Sequence, residues 1–513
     1  MAQIYIPEQL AASLQSPRSL DEITNDMTGL ATGEALRLLR DFLQTPGAES
    51  FLELEERLSQ LLSHLSAGLT ALAVEMAART STFVRRALTS VQQRGDQAGR
   101  WRHQGLRETE VRFLGGLSFR FKTPYLTRLR PRCGPKRGVG RRGRSGRGCY
   151  PALEVIGIRA GASPGLQSAV ARQAARLASF EETRQVFLEQ GHRMNVKTVR
   201  RITLAVGTKA LAQRHARIEA SQAGVVFTNE LADQRVVVGI DGGRVRLREG
   251  GRRGRRRANG RRGFRTPWRE PKLMTAYVID EQGRPVKEVR PFYDATMGDA
   301  DEAFKLLVAE LKVRGVADAK EIIVAADGAT WIWNRTEQFA SLLGVAQEKI
   351  TRVVDFYHAV EHLQAIAETR TDWSLSDVRA WVNRHRRRLL QGRINQVIGD
   401  AQKLKKRRNR TVIEREIAYF RHLAPFMRYD RFRKRCIPLG SGATESAIRR
   451  VVNLRLKGAG IFWKKENAER MLHLRAYLKA GRWNELIRRV IHASPNGRAR
   501  STFTYSLHLE AVA

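Results

Sequence analysis

Three acidic residues stand where a metal-dependent phosphoryl-transfer site requires them. Asp241 ends the run RVVVGID, Asp327 ends EIIVAAD, and Glu445 lies in GSGATES. The first two follow β-branched and apolar residues, so each is expected at the end of a strand. The third opens an expected helix. Cleaving a phosphodiester requires an activated water or hydroxyl, charge stabilisation at the pentavalent phosphate and a neutralised leaving oxygen. Two Mg²⁺ (or Mn²⁺) ions about 3.5–4 Å apart supply all three. Mg²⁺ takes hard oxygen ligands and keeps some of its waters, so a few carboxylates suffice. Without cations the trio would repel, each pair costing on the order of 4 kcal/mol at ~4 Å and an effective dielectric of ~20. Asp241, Asp327 and Glu445 are therefore the expected catalytic and metal-binding residues, and two Mg²⁺ or Mn²⁺ ions the expected cofactor. Singly, each acid also fits a structural role. Asp241 and Asp327 precede glycine as turn aspartates do, and Glu445 suits the first turn of a helix, with Ser441 or Thr444 as cap. Their order, and the element beneath each, is what points to one site.

Asp355 and His358, in DFYHAVEHL, end a further expected strand and have a supporting role: to orient a metal-bound acid or the scissile phosphate. Around these residues the chain is strongly cationic. Its 513 residues hold 92 Lys and Arg against 51 Asp and Glu, a net charge of +41. A surface of this sign calls for a polyanion, and double-stranded DNA is the expected partner. The densest segment follows Asp241, with Arg252, Arg253, Arg255, Arg256, Arg257, Arg261 and Arg262 in RRGRRRANGRR. Such a loop is either solvated or laid along a phosphate backbone, where it sets affinity without sequence choice. Beyond Glu445, Lys457, Trp463 and Lys464 are further DNA-binding candidates, Trp463 either stacking on an unpaired base or packing a helix. Cys133, Cys149 and Cys436 match no paired zinc knuckle and no disulfide framework, so no zinc site is expected.

These residues need a scaffold, and the periodicity supplies one. Residues 1–125 read as an N-terminal helical region, with helical spacing from about 34 to 105. Residues 126–150, Arg/Gly-rich, read as a basic linker. Within 151–230, ASFEETRQVFLEQGHRMNVKTVRRITLAVG reads as helix, break at Gly191, then a second helix capped by Asn195, a helix-turn-helix. Its second helix would project Lys197, Thr198, Arg200 and Arg201, although any pair of antiparallel helices can produce the same pattern. From residue 234, three strands, a helix and then alternating strands and helices give an α/β fold in the order of an RNase H-like core. That core spans 231–362 and 440–492, interrupted at 363–439 by a basic all-helical insertion, and is followed by a tail at 493–513. A hairpin turn at Glu281–Gly283 is expected to join the second and third strands.

The segments VGIDGG, WREPK, AADGATWIW, DFYHAVEHL and GSGATESAIRRVVNLRLKGAGIFWKKENAERMLHLRA resemble DDE transposases of bacterial insertion sequences, most closely the ISKra-type family, and more distantly the Mutator-like transposases. The resemblance covers about residues 150–492, including CYPALEVIGI and SPGL. It implies Asp241, Asp327 and Glu445 as the metal-binding triad, with Asp355 and His358 as the D-x-x-H element. The Arg-rich stretch near 252–262 and the isolated cysteines depart from the family pattern.

The expected activity is that of a transposase, which binds terminal inverted repeats, cleaves at the 3′ end and transfers that 3′-OH to target DNA, as a homo-oligomer on its DNA. The alternatives are a structure-specific RNase H-like endonuclease that cuts without joining and a non-enzymatic DNA-binding protein of transposase descent. No uninterrupted apolar run long enough to span a bilayer and no secretory leader are apparent, so no membrane partner is expected, and the expected location is the cytoplasm, at the nucleoid.

Overall fold

The computed structural model describes residues 6–15, 17–92, 101–128, 148–250 and 263–492. The chain divides into two compact units, Met1–Lys209 with Ile487–Ala513, and Ala210–Leu486.

The first unit begins with four helices, α1 (Ile6–Gln15), α2 (Leu20–Gln44), α3 (Ala48–Arg79) and α4 (Ser81–Gln92). Ser19 starts α2 with a capping box: its Oγ accepts from Glu22 N at 3.3 Å, and Glu22 Oε2 accepts from Ser19 N at 2.8 Å. Leu10, Ile23, Met27, Leu54, Leu61 and Leu72 recur at helical spacing and are buried together. Helix α3 is the one helix among the described residues that is long and apolar enough to cross a membrane, with a hydropathy of 1.4. Its Ser, Thr and His residues break the apolar run without adding charge, which is why no unbroken span is visible in the sequence.

Helical spacing does not carry through to residue 105. Instead β1 (Trp101–Arg112) pairs antiparallel with β2 (Ser118–Arg128), with a register shift between His103 and Leu106. Burial of Phe119, Phe121 and Thr123 alternates with exposure of Arg120 and Lys122, the period-two pattern of a strand. The linker expected at 126–150 starts inside β2 and ends in β3 (Gly148–Cys149), where Cys149 pairs with Leu126. Cys133 lies outside the described residues. Next come α5 (Pro151–Val155), α6 (Pro164–Arg176), α7 (Phe180–Glu189) and α8 (Val196–Gln222). Leu166, Val170, Phe187, Met194, Val199 and Ile202 form a small core. Gly191 takes a positive φ of 82° at the break, and Asn195 Oδ1 accepts from Thr198 N at 2.8 Å, capping α8.

The second unit is a mixed α/β structure. Its main strands are β4 (Arg235–Gly242), β9 (Lys272–Ile279), β10 (Phe292–Thr296), β11 (Glu321–Ala326) and β12 (Ile350–Val354), in the spatial order β10-β9-β4-β11-β12. The first three form an antiparallel meander, and β11 and β12 run parallel to β4. Between β4 and β9 the described residues include four two-residue strands, β5 (Val245–Arg246), β6 (Glu249–Gly250), β7 (Phe264–Arg265) and β8 (Trp268–Arg269). The turn after β9 is built by Asp280, which accepts from Gln282 N and Arg284 N at 2.9 and 2.8 Å.

Helix α9 (Ala300–Lys312) crosses from β10 to β11; α10 (Thr330–Thr336) and α11 (Phe339–Leu343) lead to β12, and α12 (Phe356–Ala367) leaves it. Helices α13 (Leu375–Leu390), α14 (Ile394–Lys403), α15 (Arg410–Leu423) and α16 (Tyr429–Lys434) fill the basic stretch before Glu445. Their buried faces, including Trp381, Leu389, Ile413 and Phe420, join the apolar core beneath the sheet. The described residues end with α17 (Gly442–Ile448), a π-helical turn (Arg449–Asn453), α18 (Leu454–Leu456), α19 (Lys465–Lys479) and α20 (Trp483–His492). Buried Arg475 donates to Val451 O at 2.7 Å, occupying a carbonyl within the widened turn.

Candidate active site

Strand β4 is almost wholly apolar until Asp241, one residue before its end, and β11 stops immediately before Asp327. The two strands are parallel, with Ala325 opposite Gly239, so two residues further on the acids emerge level at the same edge. Crevices at the carboxyl ends of parallel strands are where α/β sheets hold ligands. Glu445 reaches this edge from a distant part of the chain. Thr444 Oγ1 meets Thr275 Oγ1 of β9 at 3.0 Å, both buried. A Cβ on Gly239 would stand 2.0 Å from Thr444 Oγ1, so a side chain there would push α17 off β4.

The three carboxylates influence one another. Burial raises the Asp241 carboxyl to about 6, and the charges of Asp327, Glu445 and Glu270 push the same way, against a hydrogen bond from Gly242 N. The Gly242 bond measures 2.6 Å. Asp327 is half-buried, its Oδ1 accepting from Ala329 N at 3.0 Å while its carbonyl accepts from Trp333 Nε1 at 2.6 Å. Glu445 is exposed. Among the described residues no Lys, Arg or His forms an ion pair with any of the three. No three His, Cys, Asp or Glu side chains among the described residues stand close enough to enclose one ion.

Asp355 joins two elements beside the carboxylates. It caps α12, Oδ1 accepting from Tyr357 N at 2.6 Å and His358 N at 2.9 Å. Its Oδ2 lies 2.5 Å from Ser441 Oγ, which lies 3.1 Å from Glu445 Oε1. One buried carboxylate thus fixes both the start of α12 and the segment that delivers Glu445. His358 is half-buried, Nε2 facing His362 Nε2 at 3.3 Å and Nδ1 facing Glu361 at 3.1 Å.

Several side chains around the site are not apparent from the strand-and-helix pattern. Glu270 sits in the WREPK segment and pairs with Lys272 Nζ at 2.7 Å, and that ammonium lies 4.0 Å from the Trp331 ring. Helix α15 contributes Glu416 and Tyr419. Glu416 bonds His362 Nδ1, and the His362 ring stacks on Tyr419 with centroids 3.6 Å apart. Tyr419 packs so tightly on Gly328 that a Cβ there would meet its ring at 2.1 Å. Its hydroxyl is buried without a hydrogen-bond partner among the described residues. Burial, followed by the charges of Asp327 and Asp355, holds that hydroxyl well above the usual phenol range. The spacing of His358 and His362, one helical turn apart, is a visible signal. For Tyr419 there was none, because its place depends on how the insertion folds back.

The expected DNA-binding residues separate into three groups. Lys197, Arg200, Arg201, Lys457 and Lys464 are exposed, and Thr198 is half-buried. Arg252, Arg253, Arg255, Arg256, Arg257, Arg261 and Arg262 lie outside the described residues. Trp463 is a packing residue, not a stacking one: it is 7% exposed, and its ring lies beneath Arg455 at 4.9 Å. Its backbone joins it to the strands after Asp241, donating to Arg246 O and accepting from Arg248 N. No protein-family model matches the chain, and no curated protein and no solved structure matches it either.

Proposed function

We propose that this protein is a DNA transposase that cleaves at the ends of its element and joins the new 3′ ends to target DNA. One observation carries the proposal: Asp241 and Asp327 follow level positions of adjacent parallel strands, and α17, packed on β4 and β9 through Thr444, carries Glu445 beside them. The sheet order β10-β9-β4-β11-β12, an antiparallel meander extended by parallel strands, supports an RNase H-like core. The resemblance of the motif segments supports the same assignment.

The donor set is all oxygen, which fits Mg²⁺ or Mn²⁺. Asp241, Asp327 and Glu445 would hold the cations, which supply charge neutralisation and an activated oxygen nucleophile when bound. The chain's own contribution is position. Asp355 and Ser441 set the direction of Glu445, Trp333 ties down the Asp327 backbone, and Thr444 and Thr275 lock α17 to the sheet. Duplex binding falls to the Asn195-capped helix, with Lys197, Arg200 and Arg201 in solvent, and to the arginines and lysines around the site.

The deciding experiment uses labelled DNA from both edges of the protein's own gene, in Mg²⁺ or Mn²⁺ against EDTA, with the intact chain and Asp327→Ala. Metal-dependent cutting and joined product, both lost in the variant, are expected. Cutting without joining identifies a nuclease. Binding without chemistry leaves a non-enzymatic DNA-binding protein. Duplex affinity should fall steeply with salt because many phosphates are neutralised.

A further inference from the structure

The described residues between Asp241 and β9 form two short antiparallel rungs, called the arm below. Strand β5 pairs with β8 through Val245–Arg269 and Arg246–Trp268, and β6 pairs with β7 through Glu249–Arg265 and Gly250–Phe264. The arm is anchored on both sides. Arg248 N donates to Trp463 O at 2.6 Å, Trp463 N to Arg246 O at 2.9 Å, and Arg246 Nη2 to Gly458 O at 2.6 Å. With Trp463 buried beneath, other rings reach the surface. Trp268 is 49% exposed, Phe462 39% and Phe264 37%.

These rings are unusual in their neighbours. Phe264 and Phe462 lie 4.8 Å apart, Arg248 stands 4.2 Å from the Phe264 centroid, and Arg246 stands 5.3 Å from that of Trp268. A pocket of about 560 Å³ opens beside them, bordered by Arg248, Arg269, Lys464 and Lys465. Two of the acids on its rim are already matched, Glu249 by Arg269 and Glu270 by Lys272, each at 2.7 Å. Arg248, Lys464 and Lys465 then face Glu466 alone, a net positive rim. A protein partner would need apolar area without this surplus of cations. A duplex keeps its base faces stacked and out of reach. Flat rings with guanidinium neighbours suit an unpaired nucleobase, and the basic rim suits the phosphates on either side of it.

We propose that the arm is a stacking platform for unpaired bases of a DNA strand, with Trp268 and Phe264 as the stacking residues and Arg248, Lys464 and Lys465 as phosphate contacts. Glu270, on the rim of the pocket, packs against Gly242 next to Asp241, so the platform would receive the strand beside the carboxylates. This inference rests on the assignment of DNA as substrate, and its test is separable from that assignment because it needs neither metal nor cleavage.

Fluorescence anisotropy in EDTA would compare the full chain with Trp268→Ala, Phe264→Ala and the double variant. The probes are a fluorescein-labelled oligothymidylate, an abasic strand of equal length and charge, and a duplex. Each single variant should bind oligothymidylate about tenfold more weakly, the range of one lost base stack, and the double variant about a hundredfold. Its duplex affinity should stay within about twofold of the intact chain. The abasic strand should bind the intact chain as weakly as oligothymidylate binds the double variant. Trp268→Tyr, which keeps a ring, should restore binding and so exclude a folding defect. An abasic strand held as tightly as oligothymidylate, or an equal loss on duplex and strand, overturns the platform. A chain that binds neither strand nor duplex overturns the DNA assignment itself.

Discussion

Asp241 and Asp294 sit on the same five-stranded sheet at nearly the same level, since Asp294 pairs with Met274 and Met274 with Ile240. Their surroundings are opposite. Asp294 is 1% exposed and meets His473 Nδ1 at 2.8 Å, Arg214 Nη1 at 3.6 Å and Ala295 N at 2.8 Å. Burial pushes its carboxyl up, but His473 and Arg214 overcome that and hold it below the usual range. Asp241 has acids for neighbours and is raised to about 6. The protein thus gives Asp294 two cationic partners and, among the described residues, gives Asp241 none, in a chain with 92 basic residues. In such a chain an acid without a cation partner is the one to examine for function.

The sharpest way to break this contrast is to neutralise one acid from each group. Glu445→Gln should reduce end cleavage by about 10³-fold, taking several kcal/mol of lost charge stabilisation at tenfold per ~1.4 kcal/mol. Its melting temperature should hardly change, because Glu445 is exposed. Cleavage within about tenfold of the intact chain would remove Glu445 from the site. Asp294→Ala should do the reverse. It strands His473 in the core and leaves Arg214 with Glu469 as its remaining carboxylate, at an expected cost of about 3 kcal/mol in urea denaturation. A cost near zero would mean that the buried group is not the structural counterpart described here.

How far the sequence reveals this contrast depends on what each residue needs. The run of apolar residues before Asp241 and Asp327 makes strands visible, and the parallel register then brings the two acids level. The same rule would also select Asp280, after β9, and Asp294, inside β10. Asp280 turns out to build a turn with Arg284, and Asp294 is neutralised by residues 80 and 179 positions away along the chain. Partners at such separations leave no local pattern. The strand at Trp101–Arg112 was hidden because its outward face carries charged residues much as a helix would. Trp463 and Trp268 could not be told apart either. Both sit among basic residues, and only the packing of the arm on the C-terminal segment buries one and exposes the other.

Gly239 tests whether the acids must be held together or merely present. Gly239→Ala leaves every carboxylate in the chain but puts a Cβ 2.0 Å from Thr444 Oγ1. Helix α17 must shift, taking Glu445 with it. Displacement on the ångström scale costs about 10²-fold in rate. Thr444→Ala in the same chain removes the clashing atom and should recover part of the loss in the cleavage assay. A single Gly239→Ala variant with unchanged cleavage would show that α17 is not held by this contact.

The smallest effect reverses the usual direction of a mutation and depends on pH. Asp241 has a folded pKa near 6 against an ordinary value of 3.8, so the folded state binds its proton more tightly than the unfolded chain does. Folding is therefore unpenalised by this group below about pH 4, loses stability as the pH rises from there to about 6, and stays at the reduced level above it. Asp241→Asn removes that penalty. In EDTA it should be more stable than the parent at pH 7.5 by on the order of 1–3 kcal/mol, the ceiling set by the size of the shift and lowered by partial solvent access. At pH 4 the two should unfold at the same urea concentration. Adding Mg²⁺ at pH 7.5 should close the gap by stabilising only the parent, since a cation bound to the folded state raises its unfolding free energy. Equal stability at both pH values, with no response to Mg²⁺, would mean that Asp241 is as well compensated as Asp294 and that the two acids do not differ in kind.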